Sequence, residues 1–418
     1  MLSRVSKYLV FVLLGLLAVQ GISKSKQKSD FHDYYTASQL FSQKKDLYNR
    51  SLLENLSSEL KLEDLFKAEN FRKLQELKGN VGTYIYPPLF AFLLLPLSYF
   101  NYETASLIFN LINFFCFIIL LKFIRNQYHS VNIDNKIFYS LIVCYPFLES
   151  HVINNQVAFI LLLLVYISLF SKSNILSGAC LSIAIWIKIT PAIFLFYFLY
   201  KKDFFRLGYT ILFMIFWFLI PSFSSFEYNL SSSKDWFELV LGNALKSPTF
   251  RSWKNNQSLI ATLAKYFLSN ADVLNQDQFG LPFYSLSKHG FQIIFYSILL
   301  MIGLPFLIKI YKGIYDYSLI SILFILSVIF SGISWLHSFI FLFFPIFYLI
   351  HLYKENILTK IQKYIFVIIC FFILIANKNF IGESLDSAFK MYSYLLYIAI
   401  GYYFLYLSVN ENEEKNQI

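Results

Sequence analysis

Charge is what this sequence has least of. Only 14% of its 418 residues are Asp, Glu, Lys or Arg, against 57% apolar and 20% aromatic. Soluble domains carry roughly a quarter charged residues and about 45–50% apolar ones, so a soluble enzyme is excluded, and so is a disordered chain. Cysteine is scarce as well. The four cysteines, Cys116, Cys144, Cys180 and Cys370, all fall in apolar segments. None has metal-ligand spacing, which leaves no disulfide framework and no zinc site, and makes them packing residues. The chain also lacks a Walker A loop, a G-x-G-x-x-G fingerprint and a G-x-S-x-G elbow. A pump, or an enzyme using a soluble nucleotide donor, loses weight accordingly. Basic runs interleaved with aromatics are missing too, so no nucleic-acid partner is expected.

What the chain has is apolar sequence along its whole length, with a mean hydropathy of +0.56. Apolar segments fall near 5–23, 84–99, 104–123, 136–149, 155–171, 174–188, 190–200, 207–224, 289–308, 315–332, 334–352, 361–377 and 388–408. A span needs about 20 residues, so the pattern is that of an all-α polytopic membrane protein. The first segment follows Arg4 and Lys7 without a small-residue cleavage site, and reads as an uncleaved signal anchor with its basic end inside. Lys172, the Lys201–Lys202–Arg206 cluster, Lys309–Lys312 and Lys354–Lys363 also belong on the cytoplasmic side by the positive-inside rule. They can all lie there only if one segment fails to cross. The segment 136–149 is short and contains Pro146, so it is read as re-entrant, with 84–99 as the alternative. The expected architecture is one membrane domain, 1–418, of about 12 transmembrane helices plus that re-entrant segment. Two polar stretches, 24–83 and 225–288, become the first and second outer loops. The first contains two amphipathic patterns, 46–60 and 62–77, suited to the membrane interface.

Few polar residues interrupt the apolar segments, and on this topology they share the outer side. Ionisable groups inside or beside spans are costly and are functional candidates by default. Asp30 and Asp33 sit in Asp30-Phe31-His32-Asp33-Tyr34-Tyr35, just past the first span. A partly desolvated carboxylate there can act as a general base; a solvated loop carboxylate is the plainer reading. Tyr86 in Tyr84-Ile85-Tyr86-Pro87-Pro88 either points into a cavity or merely precedes a proline-initiated helix. His151 with Asn154-Asn155-Gln156 offers more amides than a helix cap needs. Lys188, between long apolar runs, either snorkels to the interface or supplies a point charge for phosphate. His337 in Ser334-Trp335-Leu336-His337 is a packed histidine or a site residue, and no second His or Cys lies at ligand spacing.

Taken in order, these motifs resemble glycosyltransferase family 87. Asp30-Phe-x-x-Tyr34-Tyr35-x-Ala37 followed by Asp46-Leu47-Tyr48 resembles the family's opening motif. Tyr86-Pro87-Pro88-Leu89-Phe90-Ala91 is similar to its Y-P-P-L-F-A. Asn155-Gln156-Val157 is similar to its G-Q-V-N, with Asn155 where Gly is usual and Ala158 where Asn is usual. Lys188-Ile189-Thr190-Pro191 resembles K-P-x-P, Asn256-Gln257-Ser258 resembles N-Q-S, and Ser334-Trp335-x-His337 resembles S-W-x-H-H, with Ser338 for the second His. The resemblance spans roughly residues 28–345.

The resemblance implies a GT-C-type bundle and an integral membrane enzyme in cell-envelope glycan biosynthesis. Such an enzyme takes a hexose, typically mannose, from a polyprenyl-phosphate donor and gives it to a lipid or glycan acceptor, with inversion. Asp30 would be the general base, with Asp33 as its alternative, and His337 would join it as a catalytic residue. Lys188, Asn155, Gln156, Tyr86, Asn256 and Gln257 would hold the donor phosphate and sugar. A phosphate leaving group needs a cation rather than an acid, and Lys188 and His337 are the available candidates, so neither cofactor nor metal is required. The partners would be the donor lipid, the acceptor and membrane lipids, and the place a plasma (inner) membrane with the active site on its outer face. A transporter or flippase of a lipid-linked saccharide is the competing class; it predicts inverted repeats, and none is visible.

Overall fold

A computed structural model describes residues 2–48, 50, 84–128, 132–242, 252–269 and 279–410. Every regular element among them is a helix, and no strand occurs among the described residues. The two amphipathic patterns expected over 46–60 and 62–77 lie outside the described residues, apart from 46–48 and 50.

Among the described residues, five helices are long and apolar enough to cross a membrane: Val5–Lys24, Tyr102–Gln127, Phe204–Phe223, Lys288–Lys312 and Leu336–Lys354. Two further pairs pass the same test as bent units. Ile133–Val143 meets Tyr145–Asn154 at 66°, and Lys360–Ile375 meets Lys378–Met391 at 93°. The first bend falls next to Pro146, whose missing N–H cannot continue the helix ladder. This is the segment that the sequence marks as re-entrant; the bend fits a broken span equally. Five shorter apolar helices follow the same composition, among them Ala158–Phe170, Asn174–Ile187 and Asp316–Ile329. The expected segment 84–99 contains only two short helices, Pro88–Leu93 and Leu95–Ser98, each with proline in its first turn. Among the described residues, the structure thus supports five to seven spans by length and composition, and the count of about 12 is not reached by that measure.

The chain packs as two compact units. One gathers Met1–Leu16, Ile124–Ser150 and Pro248–Ile418; the other gathers Leu17–Phe123 and His151–Ser247. In the unit containing Pro248–Ile418, the helix Asp316–Ile329 is buried from Ser318 through Ile329, and Phe343–Lys354 is buried from Phe343 through Leu352. Helices that are apolar on all sides must be surrounded on all sides, so these two form that unit's centre. Tyr406 closes the packing by donating to the Pro345 carbonyl at 2.5 Å.

In the other unit, the helix Asn174–Ile187 runs against Phe204–Leu219. Gly178 makes the close crossing possible, because a Cβ there would lie 2.6 Å from the Tyr209 side chain. Trp186 Nε1 donates to the Met214 carbonyl at 2.8 Å, and Trp217 Nε1 to Ser182 Oγ at 3.1 Å. These paired indoles lock the register of the helix that ends at Lys188.

Candidate active site

The helix Asp30–Ser42 carries the first candidate. Phe31, Tyr34, Ala37, Ser38 and Phe41 are buried along it, which is the spacing of one helical face. Phe31 is fully buried and stacks on Phe109 at 4.8 Å between ring centres. The corner before the helix is tied down by Tyr102, whose hydroxyl donates to the Gln27 carbonyl at 2.9 Å and accepts from Ser29 N at 3.3 Å. Asp30 therefore occupies a fixed place in the first turn, where the helix dipole favours a carboxylate.

Four side chains then join into one hydrogen-bonded chain. Gln156 Nε2 donates to Asp30 Oδ2. Tyr34 donates its hydroxyl proton to Gln156 Oε1 at 2.8 Å. Tyr34 and Tyr86 share a 2.8 Å contact between hydroxyls. Because the Tyr34 proton is already committed to Gln156, Tyr86 is the donor in that last pair. Burial pushes the Asp30 carboxyl above its ordinary value, while the Gln156 hydrogen bond and the nearby Lys188 charge pull partly the other way. A carboxylate raised in this manner is a better base than a solvated one.

Lys188 ends the helix Asn174–Ile187 with extended backbone, φ −150° and ψ 129°, before the 3-10 turn Thr190–Phe194 that contains Pro191. Its position is thus set by a helix end and a proline rather than by a flexible loop. Asp30, Tyr86, Asn155, Gln156 and Lys188 all lie in the same compact unit, although 158 residues of sequence separate Asp30 from Lys188.

Asn155 and Gln156 sit at the turn between Tyr145–Asn154 and Ala158–Phe170. Asn155 has φ +49°, a left-handed conformation that favours glycine and that asparagine tolerates better than most residues. This explains the departure at Asn155 from the glycine in the family pattern. The turn keeps its backbone path, and the added amide is put to use. Asn155 Nδ2 donates to the Ser106 carbonyl at 2.9 Å and to Ser106 Oγ at 3.1 Å. Its Oδ1 is buried and accepts no hydrogen bond among the described residues.

Around this core lies a second layer, only part of which belongs to a sequence motif. Tyr48 donates to the Tyr86 carbonyl at 2.8 Å, so the Asp46-Leu47-Tyr48 motif braces the tyrosine-proline segment. Trp236 Nε1 donates to the Ile85 carbonyl at 3.1 Å. Trp236 opens a π-helix, Trp236–Gly242, and Arg50 pairs with Asp235 at 2.6 Å and with Glu238. Arg50 lies more than 180 residues from Asp235 and Glu238, and none of the three belongs to a sequence motif, so nothing in the pattern pointed to them. Tyr34 is different. It is part of the opening motif, and that membership was the available signal for its place at the centre of the hydrogen-bonded chain.

Asp33 lies in the first turn of the same helix as Asp30, whereas Asn256, Gln257 and His337 lie in the other compact unit. Asn256 and Gln257 precede the helix Leu259–Phe267, which Ser258 caps by accepting from Ala261 N. Asn256 Oδ1 accepts from Ser334 N at 2.9 Å and from Ser258 N at 3.2 Å, while its Nδ2 donates to the Gly332 carbonyl at 2.9 Å. Gln257 N donates to the Ser334 carbonyl at 2.8 Å, and Gln257 Oε1 accepts from Leu395 N at 3.0 Å. Lys265 is fully buried and donates to the Asn256 carbonyl at 3.1 Å and the Lys390 carbonyl at 3.3 Å. Here amides and an ammonium hold backbone. His337 lies buried in the 3-10 turn Leu336–Leu342, immediately after the loop they clamp, with its ring 6.0 Å from that of Trp335. Among the described residues, no group of three His, Cys, Asp or Glu is placed to hold a metal ion.

A raised carboxylate beside a lysine is an arrangement that can take a proton from a hydroxyl and steady an anionic leaving group. No curated protein and no solved structure matches the chain. The model of glycosyltransferase family 87 matches residues 84–312, which contain Tyr86, Asn155, Gln156, Lys188, Asn256 and Gln257 but neither the two aspartates nor His337. That match covers more than half of the chain, so the protein belongs to glycosyltransferase family 87 and is a multi-pass membrane glycosyltransferase.

Proposed function

We propose that this enzyme transfers a hexose, mannose in the first instance, from a polyprenyl-phosphate donor to a lipid or glycan hydroxyl with inversion. The observation that carries the reading is the Asp30–Gln156 hydrogen bond within electrostatic reach of Lys188. Asp30 takes the proton of the acceptor hydroxyl as its oxygen bonds to the anomeric carbon. The bond from that carbon to the phosphate oxygen breaks, and the polyprenyl phosphate leaves with the electron pair. Phosphate is a good leaving group and needs a cation beside it, the role of Lys188. Tyr86, Asn155 and Gln156 complete the donor side. Asp33, one helical turn beyond Asp30, is the alternative base.

Asn256, Gln257 and His337 enter the reading through the family motifs. The backbone bonds of Asn256 and Gln257 suit a part in presenting the His337 loop rather than in touching sugar themselves. We further propose about 12 crossings, one of 84–99 and 136–149 not spanning, with 24–83 and 225–288 on the outer side of an inner membrane. The test is sugar transfer by purified, detergent-solubilised protein from radiolabelled mannosyl-phosphoryl-polyprenol to an acceptor-lipid extract. Product from wild type and almost none from folded Asp30→Asn supports the reading. Equal transfer by both moves the base to Asp33. Donor binding without any product points to another sugar.

A further inference from the structure

A second feature, far in sequence from the aspartates, is a groove of about 200 Å³ lined by Tyr139, Val143, Tyr353, Phe366, Val367 and Cys370, with Lys354 at its mouth. Three elements build it: Ile133–Val143, Phe343–Lys354 and Lys360–Ile375, all within one compact unit. Each belongs to a candidate span or to a bent pair that passes as one. Val367 and Tyr139 are exposed, so the groove opens sideways from the helices rather than into their interior. An apolar crevice on a spanning face meets hydrocarbon.

Its mouth is charged in one sense. Lys354 lies over the Tyr139 ring at 5.0 Å, and Lys363 lies over the Tyr353 ring at 5.3 Å while donating to Asn356 Oδ1 at 2.7 Å. Lys360 starts the same helix as Lys363. Glu355, the residue after Lys354, is already paired with the buried Lys136 at 2.6 Å, and Lys136 also contacts His351 Nδ1 at 2.8 Å. That pair consumes the local negative charge and leaves the three lysines in excess. A short basic connection between two apolar helices marks the cytoplasmic side. From Lys363 to Cys370 the helix descends about 10 Å, a third of a hydrocarbon layer about 30 Å thick.

We propose that this groove is a binding site for an anionic phospholipid of the cytoplasmic leaflet, with one acyl chain in the crevice and the headgroup phosphate on Lys354 and Lys363. Basic pockets between helices on that side suit such headgroups, and the tyrosines supply the amphipathic rim that an interface favours. The groove is too small for a drug-sized molecule and shaped for a chain segment.

The test uses the full-length chain in detergent, titrated with phosphatidylglycerol or phosphatidylcholine and read by native mass spectrometry. Wild type should retain phosphatidylglycerol about tenfold more tightly than phosphatidylcholine. Each lysine removed should weaken that retention by about fivefold, so Lys354→Ala with Lys363→Ala abolishes the preference. Val367→Trp, which fills the crevice without touching charge, should lower retention of both lipids. Unchanged elution and melting temperature establish that the variants are folded. Equal retention of the two lipids by wild type, or a preference untouched by the lysine pair, overturns the proposal. Displacement of phosphatidylglycerol by an equal concentration of polyprenyl phosphate also overturns it, by making the occupant the donor lipid.

Discussion

The two groups of family-motif residues use the same side-chain chemistry for opposite ends. Around Asp30, amide and hydroxyl groups bond to one another and to a carboxylate, and the chain Tyr86–Tyr34–Gln156 terminates on a titratable group. Around Asn256, amides bond to backbone: Asn256 satisfies Ser334, Ser258 and Gly332, and Gln257 satisfies Ser334 and Leu395. Side chains that tune a charge are expected to change rate when removed. Side chains that satisfy buried backbone are expected to change stability, because an orphaned donor or acceptor costs about 1–3 kcal/mol. A motif residue is therefore not necessarily a reacting one.

The sharpest division would come from Asp30→Asn, which keeps a hydrogen-bonding group but cannot take a proton. Transfer should fall by about 10³-fold or more, within the span attributed to general bases, while the melting temperature holds. Lys188→Met comes next, with a loss of about 10²-fold from removing one preorganised charge at a leaving group; Lys188→Arg should recover part of it. Gln156→Leu should cost about tenfold at neutral pH and carry a diagnostic sign. The Gln156 bond holds the Asp30 carboxyl down against the upward push of burial. Deleting it raises that carboxyl further. Since the base works only when deprotonated, the acid limb of the rate–pH profile should move to higher pH. A limb that stays in place would separate Gln156 from Asp30. Asn256→Ala should reverse the pattern, with a thermal unfolding midpoint clearly lowered and residual rate per folded molecule changed only a few-fold. The smallest effect belongs to Tyr34→Phe, a few-fold loss in rate, because Gln156 keeps its bond to Asp30 when the hydroxyl is gone.

Much of the comparison was legible in sequence and some of it could not be. Asp30, Gln156 and Lys188 were visible because a polar group amid apolar runs is expensive, and because their motifs occur in order. The helical class and the long apolar helices follow from composition. The number of crossings is a different matter, because apolar runs alone do not fix it. Short segments such as 158–170 or 316–329 are equally apolar whether they cross alone, pair across a bend or lie within a bundle, and proline marks a break without saying where the chain goes next. The Arg50–Asp235–Glu238 bracket was invisible because long-range ion pairs leave no local periodicity. The expectation that Asn256 and Gln257 hold the donor comes from the family resemblance, and residue type alone does not decide it. An amide is equally fit to bind a hydroxyl or a peptide group, and only the partners distinguish the two.

The direction of the hydrogen-bonded chain has a stereochemical consequence. Tyr86 gives to Tyr34, Tyr34 gives to Gln156, and Gln156 gives to one particular oxygen of Asp30, Oδ2. A carboxylate has two oxygens, and the amide N–H occupies the one it faces. If Asp30 is the base, the uncommitted Oδ1 is the better acceptor, which favours a hydroxyl that approaches from the Oδ1 side. Tyr34, which is given no substrate contact in this scheme, would then help decide which of several hydroxyls on an acceptor sugar is in line for attack.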